Sequence, residues 1–181
     1  MKSIKENRPG NVKLIIGILS SSIDSLKRAH QIITSEFGEI DCESDIVSFN
    51  YTDYYNVEMG NNILRRFVSF KKLIFPGDLW RTKRRTIEME NAEKACNKRV
   101  MNLDPGYLTL SSLILASTKE ACYRVYLDEG IYAQPMLHFR KGGFVPFEFT
   151  YPDYADDKTR SFFNEVRGIY HMQLKDIKAA G

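Results

Sequence analysis

The pattern of apolar and polar positions near the start of the chain predicts a buried strand followed by an amphipathic helix. Residues 12–19 form a short apolar run rich in β-branched side chains, which is typical of a strand covered on both faces. Apolar residues then recur at helical spacing over residues 23–37. Residues 20–22 are serines that can cap this helix, and Gly38 offers a C-terminal stop. We therefore expect a central strand followed by a helix that packs on its sheet.

Beyond Gly38 the patterns are mainly those of strands. A second strand is predicted over residues 45–51 and a third within residues 63–75. Pro76, Gly77 and Asp78 open a second helix that runs to about Asn97. The remaining predicted elements are a strand over residues 99–103 that ends at the turn Asp104-Pro105-Gly106, short strands over residues 113–117, 123–127, 131–140 and 144–149, and a closing helix from about Asp157.

This order of elements predicts an α+β fold. The first part reads as a ferredoxin-like βαββαβ unit, which an antiparallel β-meander and a C-terminal helix extend. An α/β open sheet with parallel strands is the alternative. Because 181 residues fit one domain, we expect residues 1–181 to form a single domain, with residues 1–10 as a loose N-terminal arm.

Composition and charge narrow the function classes only slightly. The chain has 26 basic and 23 acidic residues, so its net charge of +3 alone does not indicate a nucleic-acid-binding protein. No apolar run approaches the roughly 18 residues needed to cross a bilayer, and the N-terminus lacks the apolar segment of a signal peptide. We therefore predict a cytoplasmic protein without membrane association.

The densest charge signal is a basic and aromatic stretch over residues 65–85. Cations neutralise phosphates and aromatic rings stack on bases, so this mixture favours a nucleotide or RNA partner. Lys83, Arg84 and Arg85 are the candidate ligand-binding residues in this stretch. The alternative interpretation is that the phenylalanines belong to the core and that the charges are merely solvated.

A second candidate site gathers carboxylates and tyrosines from two parts of the chain. Asp53, Tyr55 and Glu58 lie in a predicted connection, a type of segment that often carries sites. Asp104 and Tyr107 flank a predicted turn, and they could face the cations Lys119 and Arg124 across a cleft, as a site for phosphate or carboxylate. The bland alternatives are a loop pinned by buried tyrosines and an aspartate that caps its turn.

Several recognised motifs of chemistry are absent from the sequence. There is neither a G-x-x-x-x-G-K-[ST] loop nor a G-x-G-x-x-G after a strand. No histidine pairs by spacing with a cysteine or with another histidine, so no metal site is predicted. The sequence leaves open both the cofactor and whether the protein is an enzyme.

Three blocks of the sequence resemble the bacterial family of domains of unknown function numbered 4416. They are NLDPGYLTLSSLILASTK at residues 102–119, RVYLDEGIYA at 124–133 and TYPDY at 150–154, and residues 54–70 are similar to an upstream block. The likeness covers nearly the whole chain. The positions that match the family pattern are Tyr55, Glu58, Gly60, Lys83, Asp104, Gly106, Tyr107, Lys119, Arg124, Tyr132, Tyr151 and Asp153.

The resemblance implies no established activity. Some family members have been named GTP-binding proteins automatically, but the absence of a P-loop argues against a literal reading of that name. The chain departs from the family pattern at Ser112 in place of lysine, Gln134 in place of glutamate and Ile87 in place of asparagine. The first two changes weaken any acid–base scheme that uses those positions.

Three functions remain as hypotheses. The first is binding of a phosphate-bearing ligand, a nucleotide or RNA, through the basic and aromatic surface together with Lys119 and Arg124. The second is a small-molecule enzyme whose Asp/Glu/Tyr site is assisted by a metal ion. The third is a protein-interaction module.

Overall fold

The computed structural model describes residues 9–180 and contains one mixed sheet-and-helix architecture there. Residues 1–8 of the predicted N-terminal arm lie outside the described residues, while Pro9 and Gly10 are exposed and have no regular structure. The strands are β1 (Val12–Ser20), β2 (Ile40–Glu43), β3 (Val47–Ser48), β4 (Leu64–Ile74), β5 (Met101–Leu108), β6 (Ser112–Ser117), β7 (Val125–Asp128), β8 (Ile131–Arg140) and β9 (Gly143–Pro146). The helices are α1 (Ile23–Phe37), α2 (Asn56–Met59), α3 (Leu79–Ala92), α4 (Pro152–Ala155) and α5 (Asp157–Ala180).

The strands form a single antiparallel sheet in the described part of the chain. Its order is β2-β4-β1-β5-β6-β8-β7, with β3 paired to β4 and β9 paired to β8. The predicted α+β class is therefore confirmed. The parallel alternative is wrong because every described strand pairing is antiparallel. The ferredoxin-like assignment and the single-domain assignment stay predictions.

The central strand β1 separates two apolar layers. All nine of its residues are buried, including Lys13 within the predicted apolar run and Ser20 just after it. Leu14, Ile16 and Ile18 pack with Ala29 and Ile33 of α1 on one face. On the other face, the core under α5 is formed by Ile15, Phe67, Leu108, Leu113, Leu115, Met136, Leu137, Phe144, Tyr154, Phe162, Phe163, Val166 and Tyr170.

Local signals explain where α1 begins and ends. The hydroxyl of Ser22 accepts a hydrogen bond of 3.1 Å from the backbone N–H of Ser25, so the predicted serine cap is confirmed. Gly38 follows the helix with a φ of 97°, a conformation that glycine adopts without steric cost. Two hairpin turns also have left-handed residues, Glu129-Gly130 between β7 and β8 and Lys141-Gly142 between β8 and β9.

The predicted second strand, residues 45–51, is wrong in position. The chain instead pairs with β4 earlier, through β2, and only Val47 and Ser48 form a strand within the predicted range. β2 has the polar sequence IDCE, and Asp41 forms an ion pair with the buried Lys13. Polar side chains on a short edge strand hide the alternation on which a sequence-based prediction relies.

The predicted turn Asp104-Pro105-Gly106 is also wrong, because these residues lie inside β5. Pro105 pairs with Ile16 of β1. The backbone N–H of Leu103, two residues earlier, points away from β1 toward a side chain of α3. Alternate residues of a strand have the same orientation, so an N–H at Pro105 would also point away from β1. On that side β5 has no strand partner at Pro105 in the described structure, so the proline removes no hydrogen bond of the sheet.

The second helix is shorter than predicted. A 3₁₀ turn over Pro76–Asp78 precedes α3, and α3 ends at Ala92 rather than near Asn97. Cys96 and Asn97 have positive φ values and form a tight turn between Ala95 and Lys98. The predicted closing helix from Asp157 is confirmed as α5. Among the described residues, no helix combines the length and apolar character needed to span a membrane.

Candidate functional site

The candidate site lies in a cleft where β5 and β6 part. β5 pairs with β1 over its whole length, Met101 to Leu108. It pairs with β6 only over its last three residues, which lie opposite Leu113, Ile114 and Leu115. Because β6 follows β8 instead as far as Ser117, the sheet opens beside the first residues of β5.

Two side chains of α3 satisfy the backbone groups that the parted strand leaves free. Lys83 Nζ donates to the carbonyl oxygen of Leu103 at 2.8 Å, and the N–H of Leu103 donates to Glu90 Oε1, also at 2.8 Å. Both side chains are buried. An unsatisfied buried polar group costs about 1–3 kcal/mol, so Lys83 and Glu90 stabilise the open arrangement in place of a strand.

The cleft contains a pocket of about 460 Å³, a volume within the range of small-molecule sites. Its walls come from the segment between β3 and α2, from α3, β5 and the end of β6, and from the segment that leads into α4. Aromatic rings contribute to the wall through Phe49, Tyr51, Tyr54, Tyr55 and Tyr151. The acidic and basic side chains in the wall are Arg65, Lys83, Glu90, Arg99, Asp104, Lys119 and Asp153.

At the centre of the site, the buried Arg65 joins two aspartates. Its Nη1 lies 3.2 Å from Asp104 Oδ2, and its Nη2 lies 2.9 Å from Asp153 Oδ2. The guanidinium carbon lies 4.3 Å from the centre of the Phe67 ring. A buried cation requires such compensation, and the carboxylates and the aromatic face supply it.

The two aspartates differ in their acidity. Burial opposes ionisation of Asp104, but the nearby charges of Lys83 and Arg65 outweigh it and lower the pKa of Asp104. For Asp153 burial outweighs the attraction of Arg65, so its pKa is raised. Burial also raises the pKa of Glu90 despite the nearby charge of Lys83. The site therefore combines a carboxylate that is readily ionised with two that hold a proton more strongly.

Tyrosines form a second side of the pocket. Burial raises the pKa of Tyr55 well above its ordinary value, and burial likewise raises the pKa of Tyr151. Their hydroxyl groups therefore stay protonated near neutral pH and can both donate and accept hydrogen bonds. The rings offer faces on which a flat ligand can stack.

Two cations lie at the mouth of the pocket. Lys119 Nζ lies 3.9 Å from the centre of the Tyr54 ring. Arg124 lies beside the pocket and donates from each of its three guanidinium nitrogens, to Gln134 Oε1 at 2.8 Å, to the carbonyl oxygen of Lys119 at 2.5 Å and to the hydroxyl of Tyr151 at 2.6 Å. Within the described part of the chain, no carboxylate lies within ion-pair distance of either cation. Neither charge is neutralised by an ion pair there, and two of the five N–H bonds of Arg124 remain for an anion.

Asn102 carries a buried donor without a partner. Arg99 Nη1 donates to Asn102 Oδ1 at 3.2 Å, which fixes the orientation of the amide. Asn102 Nδ2 lies close enough to Asp104 to favour its charged form, but it makes no hydrogen bond of acceptable geometry with any described residue. Arg99 also forms an ion pair with Glu58 and lies 3.6 Å from Glu90 Oε2.

The structure brings together part of the predicted site. Tyr55, Lys83, Asp104 and Lys119 line the pocket, and Arg124 contacts Tyr151 in its wall. These residues come from the two separate candidate groups that the sequence suggests. The cleft between β5 and β6 is what unites them.

Other candidates lie outside the pocket wall. Asp53 accepts a hydrogen bond from Asn56, and Glu58 reaches the site only through its ion pair with Arg99. Tyr107 belongs to the opposite face, where it packs against a small apolar cluster that includes Leu79, Ala116 and Ile131. Arg84 is exposed, and the exposed Arg85 pairs with Glu36 and Glu88.

Arg65 is predicted only as part of the basic stretch, and the sequence does not mark Glu90, Arg99 or Asn102 as site residues. One signal was present, because Arg65 shares strand alternation with the buried Phe67 and Ser69, and a cation on a buried face needs a partner. Asn102 and Asp104 alternate in the same way on β5. The wrong turn assignment concealed that second pattern.

Among the described residues, no group of three or more His, Cys, Asp or Glu side chains could hold a metal ion.

Comparison with known proteins gives the family and no further relative. No curated protein and no solved structure gives a significant match to the chain. The model of one family, described as Domain of unknown function (DUF4416), matches residues 10–170. The chain belongs to this family.

Proposed function

We propose that the protein binds a small phosphate-bearing metabolite in the cleft between β5 and β6, with the phosphate at Lys119 and Arg124. The observation that carries this proposal is the charge at the mouth of the pocket. Neither cation has a carboxylate within ion-pair distance in the described structure. Charge-assisted hydrogen bonds from lysine and arginine are a common means of phosphate recognition.

The outer basic stretch is a weaker candidate for a polyanion. Arg66, Lys71, Arg81 and Arg85 each form an ion pair with a carboxylate. Arg65 and Lys83 are buried, and so are the rings of Phe67 and Phe70. A surface whose cations are largely neutralised and whose rings are largely inside offers RNA little charge and few stacking faces. The proposal therefore favours a small ligand, such as a mononucleotide, over RNA.

The size and lining of the pocket support a small ligand. A volume of about 460 Å³ suits a metabolite of moderate size. Tyr54, Tyr55 and Tyr151 provide flat faces and hydroxyl groups next to the two cations. Such a mixture suits a ligand with an anionic end and a ring.

The test is a binding measurement with matched lysine variants. We expect nucleoside monophosphates, sugar phosphates or inorganic phosphate to raise the melting temperature of the protein and to bind in calorimetry, since a ligand of the folded state stabilises it. Lys119→Ala should weaken this binding about tenfold, whereas Lys72→Ala, which removes an exposed cation of the outer stretch, should leave it nearly unchanged. Equal losses in both variants, or a loss only in Lys72→Ala, would refute binding at the cleft.

A second candidate function, a small-molecule enzyme, is favoured by the opposite pKa shifts of Asp104 and Asp153. A carboxylate pair whose environments separate its pKa values is typical of acid–base sites. In this scheme Asp153, whose raised pKa favours proton uptake, exchanges a proton with the ligand, and the charged Asp104 orients the ligand. Incubation with the phosphate that binds best, followed by phosphorus NMR, tests it: conversion by the native protein that is lost in Asp104→Asn supports an enzyme.

The remaining alternatives have less support. A protein-interaction module would use the exposed edge strand β7, where Val125 and Tyr126 are more than half exposed at 65% and 56%. The location in the cytoplasm and the absence of membrane association stay predictions. GTP binding falls within the proposed ligand class, and GTP is added as a further probe to the same binding screen.

A further inference from the structure

We infer that the floor of the pocket recognises a hydroxyl group, through Asp104 as the acceptor and Lys83 and Asn102 as the donors, so that the ligand is a phosphorylated sugar or nucleoside. This inference rests on the proposed phosphate binding at the mouth and adds a second recognition element. It follows from hydrogen-bonding capacity that the described structure leaves unused.

Asp104 keeps free acceptor capacity toward the pocket. Its Oδ2 accepts from Arg65 at 3.2 Å, while its Oδ1 lies 3.7 Å from Lys83 Nζ, beyond hydrogen-bonding distance. The side chain is 20% exposed and lines the pocket. A carboxylate offers about four lone-pair sites, so Asp104 has room for a ligand donor.

The donors beside Asp104 are also incompletely used. Lys83 Nζ donates to the carbonyl of Leu103, and an ammonium group has three N–H bonds. Asn102 is 5% exposed, lines the pocket, and has no hydrogen-bond partner for Nδ2 among the described residues. Asn102 and Asp104 are two positions apart on β5, so both side chains lie on the same face.

This combination selects among ligand groups. A phosphate or carboxylate placed here would meet the negative charge of Asp104, and an ammonium would meet Lys83 and could not accept from Asn102. A hydroxyl group donates to Asp104 and accepts from Asn102 Nδ2 at the same time, and a neighbouring hydroxyl group of the same ligand can accept from Lys83 Nζ. The cost of an unsatisfied buried amide, about 1–3 kcal/mol, adds to the gain when such a group binds.

The floor and the mouth belong to the same pocket, so a single ligand can occupy both. Lys119 at the mouth and Asp104 at the floor line the same 460 Å³ volume, and Tyr55 lies in its wall. A ligand with a phosphate at one end and ring hydroxyl groups further along matches this order of groups. Phosphorylated sugars and nucleoside phosphates have that arrangement.

Calorimetry with two probes tests the inference. Ribose 5-phosphate and tetrahydrofurfuryl phosphate share a five-membered ring and a phosphate, but only the former has ring hydroxyl groups. We expect the native protein to bind ribose 5-phosphate at least about tenfold more tightly. In Asn102→Ala and Asp104→Asn this preference should fall to about threefold or less. Asn102→Ala keeps the ion pair of Asp104 with Arg65, so it provides the test if Asp104→Asn does not fold.

The outcomes separate this inference from the proposal on which it rests. Equal binding of the two probes by the native protein overturns hydroxyl recognition and leaves phosphate binding standing. A preference that persists unchanged in folded Asn102→Ala also overturns it, since the hydroxyl would then be recognised elsewhere. If neither probe nor inorganic phosphate binds, the proposed function itself fails, and this inference fails with it.

Discussion

The guanidinium of Arg65 lies so close to the α-carbon of Gly17 that a side chain on Gly17 would collide with it. A Cβ atom on Gly17 would lie 2.9 Å from Arg65 Nη2 and 3.0 Å from the hydroxyl oxygen of Tyr154. The backbone of Gly17 is not left-handed, so this glycine provides space rather than an unusual conformation. The central strand therefore contributes to the site by the absence of a side chain.

Gly17→Ala should destabilise the protein. Arg65 cannot retreat without losing contact with Asp104 and Asp153, so we expect a loss of about 1–3 kcal/mol, measured by urea denaturation. Gly168→Ala in α5 is the control, because a Cβ there meets no atom within 4 Å. It should be neutral or stabilising by about 0.5–1 kcal/mol. A Gly17→Ala protein as stable as the native one would contradict this account of Arg65.

Lys83→Met should destabilise the protein far more than the same change at its neighbour. The variant leaves the buried carbonyl of Leu103 without its donor, and we expect a loss of about 1–3 kcal/mol in urea denaturation. Arg84→Met removes an exposed charge from the same helix and should change stability by no more than about 0.5 kcal/mol. Similar effects of the two changes would mean that Lys83 is not needed to hold the parted strand.

Glu90→Gln should change how stability depends on pH. Burial raises the pKa of Glu90 above its ordinary value of 4.5. At pH values between 4.5 and that raised pKa, the folded protein keeps a proton that the unfolded chain has released. The free energy of unfolding therefore falls as the pH rises from 4.5 to the raised pKa. Glutamine can still accept from the N–H of Leu103 but has no proton to lose. The stability of Glu90→Gln relative to the native protein should therefore be higher at pH 7 than at pH 4, as urea denaturation at the two pH values would show. A relative stability that falls over this range contradicts the raised pKa.

The predictable part of the fold is the part that local sequence determines. The apolar run of β1, the spacing of α1 and its caps at Ser22 and Gly38 follow from residues close together in the chain. The short strand β2 is not predictable in this way, because its polar residues are stabilised by distant partners, as Asp41 is by its ion pair with Lys13. Interactions between distant residues decide such a strand, and a single sequence does not reveal them.

The site was less predictable than the fold for a related reason. Tyr55, Lys83, Asp104 and Lys119 were candidates from their chemistry, but the cleft that unites them depends on the divergence of two strands. Pro105 indicated a turn because proline rarely lies inside a sheet. In this fold the parted strand tolerates a proline, so the same feature that opens the site misled the sequence-based interpretation.

The divergence of β5 and β6 can be tested at Gly106. If residues 104–106 formed a turn, asparagine would replace the glycine at little cost, as we expect at Gly130, where φ is 74° in the turn between β7 and β8.

In the strand, a Cβ on Gly106 would lie 2.4 Å from the backbone carbonyl oxygen of Ile114, an atom that cannot move without displacing β6. Gly106→Asn should therefore cost about 3 kcal/mol or more, or prevent folding, whereas Gly130→Asn should stay within about 1 kcal/mol of the native protein. Urea denaturation of both variants, with soluble yield as a second readout, decides between the two structures. If the two asparagine variants were equally stable, β6 could not approach Gly106 closely, and the strands would not part from that point to form the pocket.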